Sequence, residues 1–312
     1  MAMGDASGTM GVVMRMGRLF APLLVLCLVA CGSTPATPTP ATPTGAPGST
    51  ITVGLADRPF QLHVPTTYAA GTKVPLVVLL HGFTSNAAEA ESYFKLTAQS
   101  DRRGFLYAMP DGTKDSRGDR FWNATDACCA FYGRDVDDSG YLYRLVQAIK
   151  AAYAVDPQRV YFVGHSNGGF MAYRMACDHA AEITAIVSLA GAMVNDPALC
   201  TPSRPVSVLQ IHGTADETIA FTGGANGSQP YPSAEAGLAA WRGYNGCGDA
   251  AASGAPMDLD SSLPGAETTV TTYRTGCRAG TRVELWSIAG GRHVPALTGA
   301  FPGAVVDFLL GR

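Results

Sequence analysis

Charged side chains are scarce in this sequence. They make up 15% of the 312 residues, and the formal net charge is only -3. Because neither sign dominates, the composition argues against nucleic acid as a partner and gives no electrostatic reason to expect an anionic membrane surface. Scarce charge together with 36 glycines favours a compact, loop-rich extracellular enzyme over a coiled or disordered chain.

The sequence also lacks the spacing of a metal site. Its cysteines form no CxxC pair, and no histidine accompanies them at ligand spacing, so no metal is predicted. The six cysteines beyond residue 50 are an even number, which suggests disulfides formed in an oxidising compartment. We favour the pairs Cys247–Cys277 and Cys177–Cys200, which leave Cys128 and Cys129 joined to each other or shared differently with the rest.

The first 31 residues have the pattern of an export signal. Arg15 and Arg18 precede an apolar run, Leu19 to Ala30, that is too short to span a bilayer as a stable helix. The run ends in Leu28-Val29-Ala30-Cys31, which resembles the lipobox of bacterial lipoproteins. We therefore predict that Cys31 is lipidated and that any membrane contact is made through this anchor. Ordinary signal cleavage near Ala30 is the alternative.

A segment of low complexity follows the export signal. Residues 33–50 are rich in threonine, proline and alanine. Such a segment cannot bury a core and is expected to stay extended as a semi-rigid spacer. The chain is therefore predicted to consist of a signal peptide (1–31), a linker (32–50) and one catalytic domain (51–312).

Apolar stretches alternate with amphipathic ones in the βαβα order of a largely parallel sheet. Leu76 to Leu80 is apolar at every position, as expected of a strand that is buried on both faces. Only a short connection separates Leu189 from Val206, where related folds insert a cap. We predict an α/β fold with helices on both faces of the sheet, no large cap domain and an open cleft. Strands are predicted at 51–55, 60–64, 76–80, 105–109, 160–163, 183–189, 206–211 and 283–288, a hairpin arm at 268–273, and helices at 87–100, 138–153, 168–181 and 304–310.

The chemistry is predicted from Gly164-His165-Ser166-Asn167-Gly168, the one GxSxG in the chain. It directly follows the apolar stretch Val160 to Val163 and directly precedes a helical pattern, which is the strand–turn–helix context of a nucleophile elbow. The flanking glycines permit a turn so sharp that the serine hydroxyl is lifted above the sheet edge. Ser166 is therefore the predicted nucleophile, and the His165 side chain is expected to point away from it.

A serine hydroxyl needs a general base, and six histidines are available. In a fold built around such an elbow the acid and then the histidine follow the serine along the chain, which leaves His179, His212 and His293. His293 lies in a glycine-rich loop after the last predicted strand, where an imidazole can swing over the serine. Because His179 lies on a predicted helix and His212 at a strand end, His293 is the predicted base.

The acid must lie between the serine and the histidine at the end of a strand. Asp216 stands at the tip of the turn His212-Gly213-Thr214-Ala215-Asp216, which ends a predicted strand. There a carboxylate can accept a hydrogen bond from the imidazole, fix its tautomer and stabilise the imidazolium. Asp216 is the preferred acid, and Asp196, after the preceding strand, is the competing assignment.

Two backbone N–H groups are predicted to stabilise the oxyanion of the tetrahedral intermediate. One belongs to Asn167, and the other to Phe83 in the loop His81-Gly82-Phe83 after the fully apolar strand. Trp122 lies on a long loop at the expected cleft edge, where it would stack on a substrate ring or acyl chain; packing beneath its own loop is the alternative. The loops 111–135 and 220–265 show no period or motif from which specificity can be predicted.

Several motifs occur together and in order along the chain. They are Leu80-His81-Gly82, Trp122-Asn123-Ala124 with Cys128-Cys129, Val136-Asp137-Asp138, Gly164 to Gly169, His212 to Asp216, and Gly290-Gly291-Arg292-His293. In this combination the chain resembles, over residues 51–312, the polyhydroxybutyrate depolymerase-like esterases of bacteria, which include feruloyl and acetylxylan esterases. The resemblance implies an α/β-hydrolase fold, a triad of Ser166, Asp216 and His293, no metal and no organic cofactor.

The chain departs from that family beside its predicted base. Family members often have a third glycine before the histidine and an aromatic residue soon after it, whereas Arg292 precedes His293 here and Val294-Pro295 follow. We predict a secreted serine carboxylic ester hydrolase whose partner is an ester substrate, namely feruloyl or acetyl esters of plant polysaccharide. Hydrolysis of a polyester, such as polyhydroxybutyrate or polyethylene terephthalate, is the alternative. A surface lipoprotein that binds glycan or polymer without catalysis is the alternative of another class.

Overall fold

A mixed sheet of ten strands forms the centre of the fold. The computed structural model describes residues 45–55, 58–133 and 135–311, so the predicted signal segment with Cys31 and most of the linker lie outside the described residues. The strands are β1 Thr50–Val53, β2 Phe60–His63, β3 Val74–Leu80, β4 Leu106–Pro110, β5 Thr113–Lys114, β6 Arg120–Phe121, β7 Val155–His165, β8 Ala185–Leu189, β9 Ser207–Gly213, β10 Gly224–Asn226, β11 Gln229–Tyr231, β12 Ala252–Ser253, β13 Thr268–Tyr273 and β14 Val283–Ile288. The helices are α1 Ala87–Phe94, α2 Thr97–Arg103, α3 Asp138–Ala152, α4 Asn167–Asp178, α5 Ala234–Asn245 and α6 Phe301–Leu310.

The large sheet has the strand order β1-β2-β4-β3-β7-β8-β9-β14-β13-β12. The six central strands, from β4 to β14, run parallel, and the outer strands pair antiparallel at both edges. The hairpin of β13 with β14 confirms a sequence prediction, and the opening strands β1 and β2 also pair antiparallel. The other four strands form two short ribbons, β5 with β6 and β10 with β11.

Helices cover both faces of the sheet, because its central strands are apolar on both sides. All seven residues of β3 are buried, and they alternate between two cores: Leu76, Val78 and Leu80 face one, and Val77 and Leu79 face the other. The first core also contains the apolar sides of α3, α4 and α5, and the second contains those of α1 and α6. This is the predicted α/β architecture.

The connection between β8 and β9 is short, as predicted. It contains a single 3-10 turn, Pro197–Leu199, so no cap is inserted at this point of the described chain. None of the helices in the described ranges is long and apolar enough to cross a bilayer. Because the connection between β8 and β9 holds no inserted domain, that connection does not cover the carboxyl ends of β7, β8 and β9.

The helix predicted over 87–100 is two helices. The first, α1, ends where Lys95 adopts a left-handed backbone with φ 55, and α2 begins at Thr97. The Glu91 carboxylate accepts hydrogen bonds from the N–H groups of Leu96 and Thr97, so a residue of the first helix caps the second.

The range 220–265, in which the sequence analysis found no period, contains the helix α5. Ser233 caps the helix by accepting a hydrogen bond from the Ala236 N–H, and Gly246 ends it with φ 68. Leu238 and Trp241 on the buried side have helical spacing. These signals are present in the sequence, but surrounding alanine and glycine weaken the apolar stripe that a periodicity search detects.

Candidate active site

Ser166 occupies the sharp turn between β7 and α4. Its backbone has φ 52 and ψ -120, a strained conformation for a residue with a side chain and one that clusters at functional sites. A Cβ on Gly164 would overlap the Gly168 carbonyl oxygen, and a Cβ on Gly168 would overlap the Leu80 carbonyl oxygen. The turn therefore requires glycine at both flanking positions of the motif.

The ends of three parallel strands bring the predicted triad residues together. Ser166, Asp216 and His293 follow β7, β9 and β14, which lie in one parallel array and end at the same edge. His293 Nε2 lies 2.9 Å from Ser166 Oγ, and His293 Nδ1 lies 2.8 Å from Asp216 Oδ2. Asp196 is not brought to this cluster; its carboxylate accepts a hydrogen bond from the Ala198 N–H and caps the turn at 197–199. The contacts are those a Ser-His-Asp triad needs.

The Asp216 carboxylate is buried and hydrogen-bonded at both oxygens. Its Oδ1 accepts from the N–H groups of Thr218 and Ile219 at 2.8 and 2.9 Å, and its Oδ2 lies near His212 Nε2 and His293 Nδ1. Burial by itself would raise the pKa of Asp216, but hydrogen bonds from His212 and His293 outweigh burial and hold that pKa well below its ordinary value. Asp216 therefore stays ionised beside the imidazole in neutral solution.

His212 is a residue of the site that the sequence analysis considered only as a base. The Gln210 side chain donates to the Gly191 carbonyl oxygen at 2.8 Å and lies 3.0 Å from His212 Nδ1, which must then be the acceptor. The His212 proton is consequently on Nε2, 2.7 Å from the Ile219 carbonyl oxygen and 3.2 Å from Asp216 Oδ2. His212 thus holds the predicted acid in place, and its position four residues before Asp216 was the available sequence signal.

His165 lies beside the predicted base and lines the same cavity, which corrects the expectation that it points away. Its Nε2 donates to the His293 carbonyl oxygen at 2.9 Å, and the two imidazole rings are 5.0 Å apart. Burial, helped by the neighbouring His293, lowers the pKa of His165 to about 4. A neutral His165 therefore anchors the loop that carries His293.

The N–H groups predicted to bind the oxyanion are free to do so. Within the described ranges neither the Phe83 N–H nor the Asn167 N–H donates to an acceptor of the protein. Gly82 and Phe83 line the cavity together with Ser166, and a Cβ on Gly82 would come within 3.5 Å of Ser166 Cβ. The loop after β3 therefore passes directly beside the predicted nucleophile, and the assignment of the two donors also stays a prediction.

Trp122 does not stack on a substrate, so that prediction was wrong. The side chain is 0% exposed, and its Nε1 donates to the His81 carbonyl oxygen at 3.1 Å. The alternative from sequence, packing beneath its own loop, describes it better. The indole is buried because it packs in the first core. The sequence placed Trp122 on a long loop, and a loop position gives no sign of such tertiary packing.

A cavity of about 360 Å³ opens beside Ser166, a size within the ~300–1,000 Å³ of typical small-molecule sites. Its walls are mostly apolar and come from different parts of the fold: Phe83, Ala90, Tyr93, Phe94 and Val294. Ser85 and Glu89 form a polar edge, with Ser85 Oγ donating to Glu89 at 2.8 Å. Sequence reasoning missed α1 as a wall of this cavity because its contact with the loop after β14 is purely tertiary.

Two of the three cysteine pairs are the favoured pairings, and the third joins Cys128 to Cys129, one of the alternatives left open. Disulfides join Cys177 to Cys200, Cys247 to Cys277, and the adjacent Cys128 to Cys129. The vicinal pair lies at the site, since Asn167 Nδ2 is 3.4 Å from Cys128 Sγ. In the described part of the chain, no group of three or more histidine, cysteine or acidic side chains is placed to hold a metal ion.

Comparison with known proteins identifies the family. A model of the family described as esterase PHB depolymerase matches residues 59–253, more than half of the chain. The chain belongs to this family. The resemblance to polyhydroxybutyrate depolymerase-like esterases inferred from the motifs is confirmed, and this member of the family is a carboxylic ester hydrolase. The alternative of a non-catalytic binding lipoprotein is thereby overturned.

Named relatives of this esterase have related descriptions. It is 28% identical over 236 residues to "Putative esterase NocK" of Nocardia uniformis subsp. tsuyamanensis, covering 68% of this chain and 67% of that protein. It is 27% identical over 237 residues to "Feruloyl esterase B" of Piromyces equi, covering 73% of this chain but only 41% of that protein. The esterase thus spans less than half of the Piromyces protein.

A solved structure supports the fold of this esterase. The acetyl xylan esterase from Aspergillus awamori aligns with a TM-score of 0.58 and 14% sequence identity, covering 85% of this chain and all of that one. An identity this low shows the fold alone. The α/β-hydrolase architecture predicted from the sequence is therefore confirmed.

Proposed function

We propose that this carboxylic ester hydrolase is an exported serine esterase whose catalytic triad is Ser166, His293 and Asp216. The observation that carries the proposal is the unbroken line of contacts from Ser166 Oγ through the His293 imidazole to Asp216, at 2.9 and 2.8 Å. The line ends at the edge of an apolar cavity that can receive one half of an ester. A hydroxyl, a base and a buried carboxylate in this arrangement are what acyl transfer through a serine requires.

The proposed reaction has two halves. Ser166 Oγ attacks the ester carbonyl carbon while His293 Nε2 takes the hydroxyl proton, and the carbonyl electrons move onto oxygen, where the N–H groups of Phe83 and Asn167 donate to it. Collapse of this intermediate breaks the bond to the alcohol, which leaves with the proton from His293. Water then attacks the acyl-enzyme while His293 takes its proton. Collapse of this second intermediate breaks the bond to Ser166 Oγ, which regains the proton from His293 as the acid leaves.

The proposed substrates are feruloyl or acetyl esters of plant polysaccharide. Phe83, Tyr93 and Phe94 give the cavity aromatic walls, which suit the ring of a hydroxycinnamoyl group. The name of the Piromyces relative, feruloyl esterase, favours the aromatic acyl group. No cap is inserted between β8 and β9, so a polysaccharide chain outside the cavity meets no obstacle from that connection.

The test is a substrate panel on the purified protein. We expect hydrolysis of p-nitrophenyl acetate and of methyl ferulate, and we expect Ser166→Ala to lose both activities by about 10⁴-fold or more. If Ser166→Ala is as active as the wild type, Ser166 is not the nucleophile. If methyl ferulate is not hydrolysed while short acyl esters are, the aromatic acyl assignment fails and the acetyl assignment remains.

Polyester hydrolysis is the second candidate, and one observation favours it. Phe131 is 44% exposed and Val294 61% exposed, and both lie at the cavity, Phe131 through its ring contact with Phe83 and Val294 as a lining residue. Exposed apolar side chains flanking a cleft suit an apolar polymer chain. Clearing of a polyhydroxybutyrate emulsion faster than turnover of methyl ferulate would favour this candidate over the first.

Export is the third part of the proposal. Three disulfides are expected in a protein that folds in an oxidising compartment, which fits the signal pattern of residues 1–31. We propose that Cys31 anchors the protein to the bacterial envelope and that residues 32–50 space the enzyme from it. Incorporation of labelled palmitate that disappears in Cys31→Ser would support the anchor, and secretion of unlabelled protein would contradict it.

A further inference from the structure

The two proposed oxyanion donors belong to segments far apart in the chain. Phe83 lies in the loop after β3, and Asn167 is the first residue of α4. Both N–H groups must converge on one oxygen atom at about 2.7–3.1 Å, because misplacement by a fraction of an ångström weakens the stabilisation of developing charge. Some third part of the protein must therefore set the distance between the two segments.

Trp122 contacts the Asn167 side of this pair through its backbone. Its N–H donates to Asn167 Oδ1 at 2.7 Å, and its carbonyl oxygen accepts from Asn167 Nδ2 at 2.8 Å. Both polar atoms of the Asn167 side chain are thus paired with one peptide segment, and the side chain is 0% exposed. A two-point contact fixes the orientation of the residue whose N–H follows the nucleophile.

Trp122 contacts the other side of the pair through its indole ring. Its Nε1 donates to the His81 carbonyl oxygen at 3.1 Å, and the indole and imidazole rings are 5.1 Å apart. The same residue that pairs with Asn167 therefore also holds the first residue of the loop His81-Gly82-Phe83.

His81 passes this constraint on to the Phe83 N–H. The Gly112 N–H donates to His81 Nε2 at 2.9 Å, so the proton of the neutral ring is on Nδ1, which lies 2.7 Å from the Gly82 carbonyl oxygen. Burial lowers the pKa of His81, which keeps the ring neutral. The Gly82 carbonyl and the Phe83 N–H belong to one planar trans peptide and point in opposite directions. A carbonyl held by His81 therefore aims the Phe83 N–H away from His81.

We propose that Trp122 is a positioning residue that sets the geometry of the oxyanion hole by joining the Asn167 segment to the His81–Phe83 loop. This inference rests on the proposed function, since it assumes that acyl transfer occurs at Ser166. Burial in the core accounts for the apolar part of the indole but not for its N–H. We assign that N–H the role of fixing the loop that carries the second oxyanion donor.

Trp122→Phe tests the role, and the chain offers a matched control. The substitution keeps a buried aromatic ring but removes the donor to His81. Trp241 is also 0% exposed, and its Nε1 has no acceptor among the described residues, so Trp241→Phe makes the same chemical change without losing a hydrogen bond. We expect Trp122→Phe to lower kcat for p-nitrophenyl acetate by about 10- to 100-fold with KM changed less than about threefold, and Trp241→Phe to leave both constants unchanged.

A transition-state analogue separates positioning from loss of structure. An aryl trifluoromethyl ketone accepts Ser166 Oγ at its carbonyl carbon and gives a tetrahedral oxyanion, so its inhibition constant should rise in Trp122→Phe in parallel with the fall in kcat/KM. Binding of the product acid, which has no such oxyanion, should not weaken. Equal loss of kcat in Trp122→Phe and Trp241→Phe, or an unchanged inhibition constant for the ketone, would overturn the inference.

Asn167→Ala gives a second route if Trp122→Phe does not fold. It removes both contacts to the Trp122 backbone but keeps the Asn167 N–H, and we expect the same split between kcat and KM. Wild-type kcat and ketone affinity in a folded Asn167→Ala protein would also contradict the role. Failure of the proposed function is a different result: Ser166→Ala would then keep its activity, whatever the tryptophan variants do.

Discussion

The two sides of Ser166 are constructed differently. On the oxyanion side, Trp122, Asn167 and His81 are each 0% exposed, and hydrogen bonds join Trp122 to both of the others. On the base side, the His293 side chain is 15% exposed, and the next residue, Val294, is 61% exposed. The proposed oxyanion donors are backbone groups that cannot reorient alone, so they need a buried frame. The proposed base must exchange protons with serine, alcohol and water, so it needs an accessible loop held by only a few contacts.

Asp216→Asn is the largest predicted break on the base side. An amide can present its NH₂ group to His293 Nδ1, which favours the imidazole tautomer with its proton on the wrong nitrogen. We expect kcat for p-nitrophenyl acetate to fall by about 10³- to 10⁴-fold while the protein stays folded. Asp196→Asn is the matched control, because Asp196 only caps the turn at 197–199, and its kcat should equal that of the wild type. Comparable losses in the two variants would remove Asp216 from the triad.

The same contrast explains which parts of the site were predictable from the sequence. Side chains proposed to carry the chemistry have a residue type and a place at a strand end, so Ser166, Asp216 and His293 could be predicted by motif, order and elimination. The structure places His293 Nε2 2.9 Å from Ser166 Oγ and His293 Nδ1 2.8 Å from Asp216 Oδ2. A backbone N–H has no residue signature. The proposed oxyanion donors were therefore chosen by their position in the fold, and Trp122, which we propose to position them, was predicted at the cleft edge and not in the core.

The fold shows a parallel limit. Strands buried on both faces, such as β3, are continuous apolar runs, and every central parallel strand was predicted. The bounds agree for β14 and differ most for β7, which begins five residues before its predicted start. The break at Lys95 and the helix α5 were missed because each depends on contacts that a pattern of apolar residues does not contain. The first depends on the Glu91 carboxylate, and the second on capping residues around a weak apolar stripe.

The disulfides extend the comparison to two kinds of crosslink, one that lies at the site and others that join distant residues of the chain. Cys247–Cys277 closes a segment of 30 residues, so replacing both cysteines with alanine should lower the free energy of unfolding by about 3–4 kcal/mol and leave kcat unchanged below the melting temperature. Cys128–Cys129 closes no chain segment but lies against Asn167, and Cys129 N–H donates to the Trp122 carbonyl oxygen. Its double alanine variant should lose kcat several-fold with a smaller loss of stability.

Urea unfolding and kcat, measured on the same preparations, check this pair of predictions. The Cys177–Cys200 double alanine variant is a second stability control, since its cysteines are 23 residues apart and Cys177 lies at the opposite end of α4 from Ser166. Loss of kcat in all three variants in proportion to stability would mean that the vicinal pair has no local role at the oxyanion side.

The smallest predicted effect concerns the pH dependence of the base side. His165 holds the His293 carbonyl with its Nε2–H, and burial lowers its pKa to about 4, below the ordinary value of 6.5. Between these values the unfolded chain binds a proton that the folded protein does not, so the stability contributed by neutral His165 is complete above pH 6.5 and is lost as pH falls towards 4. The loss by pH 5 amounts to at most about 2 kcal/mol. His165→Gln cannot bind that proton, so its melting temperature should fall less than that of the wild type between pH 7 and pH 5, by a few degrees. An equal fall in melting temperature for the two proteins across this range would show that burial does not hold His165 neutral. The contact of His165 with the His293 carbonyl oxygen would then tolerate a charged imidazole.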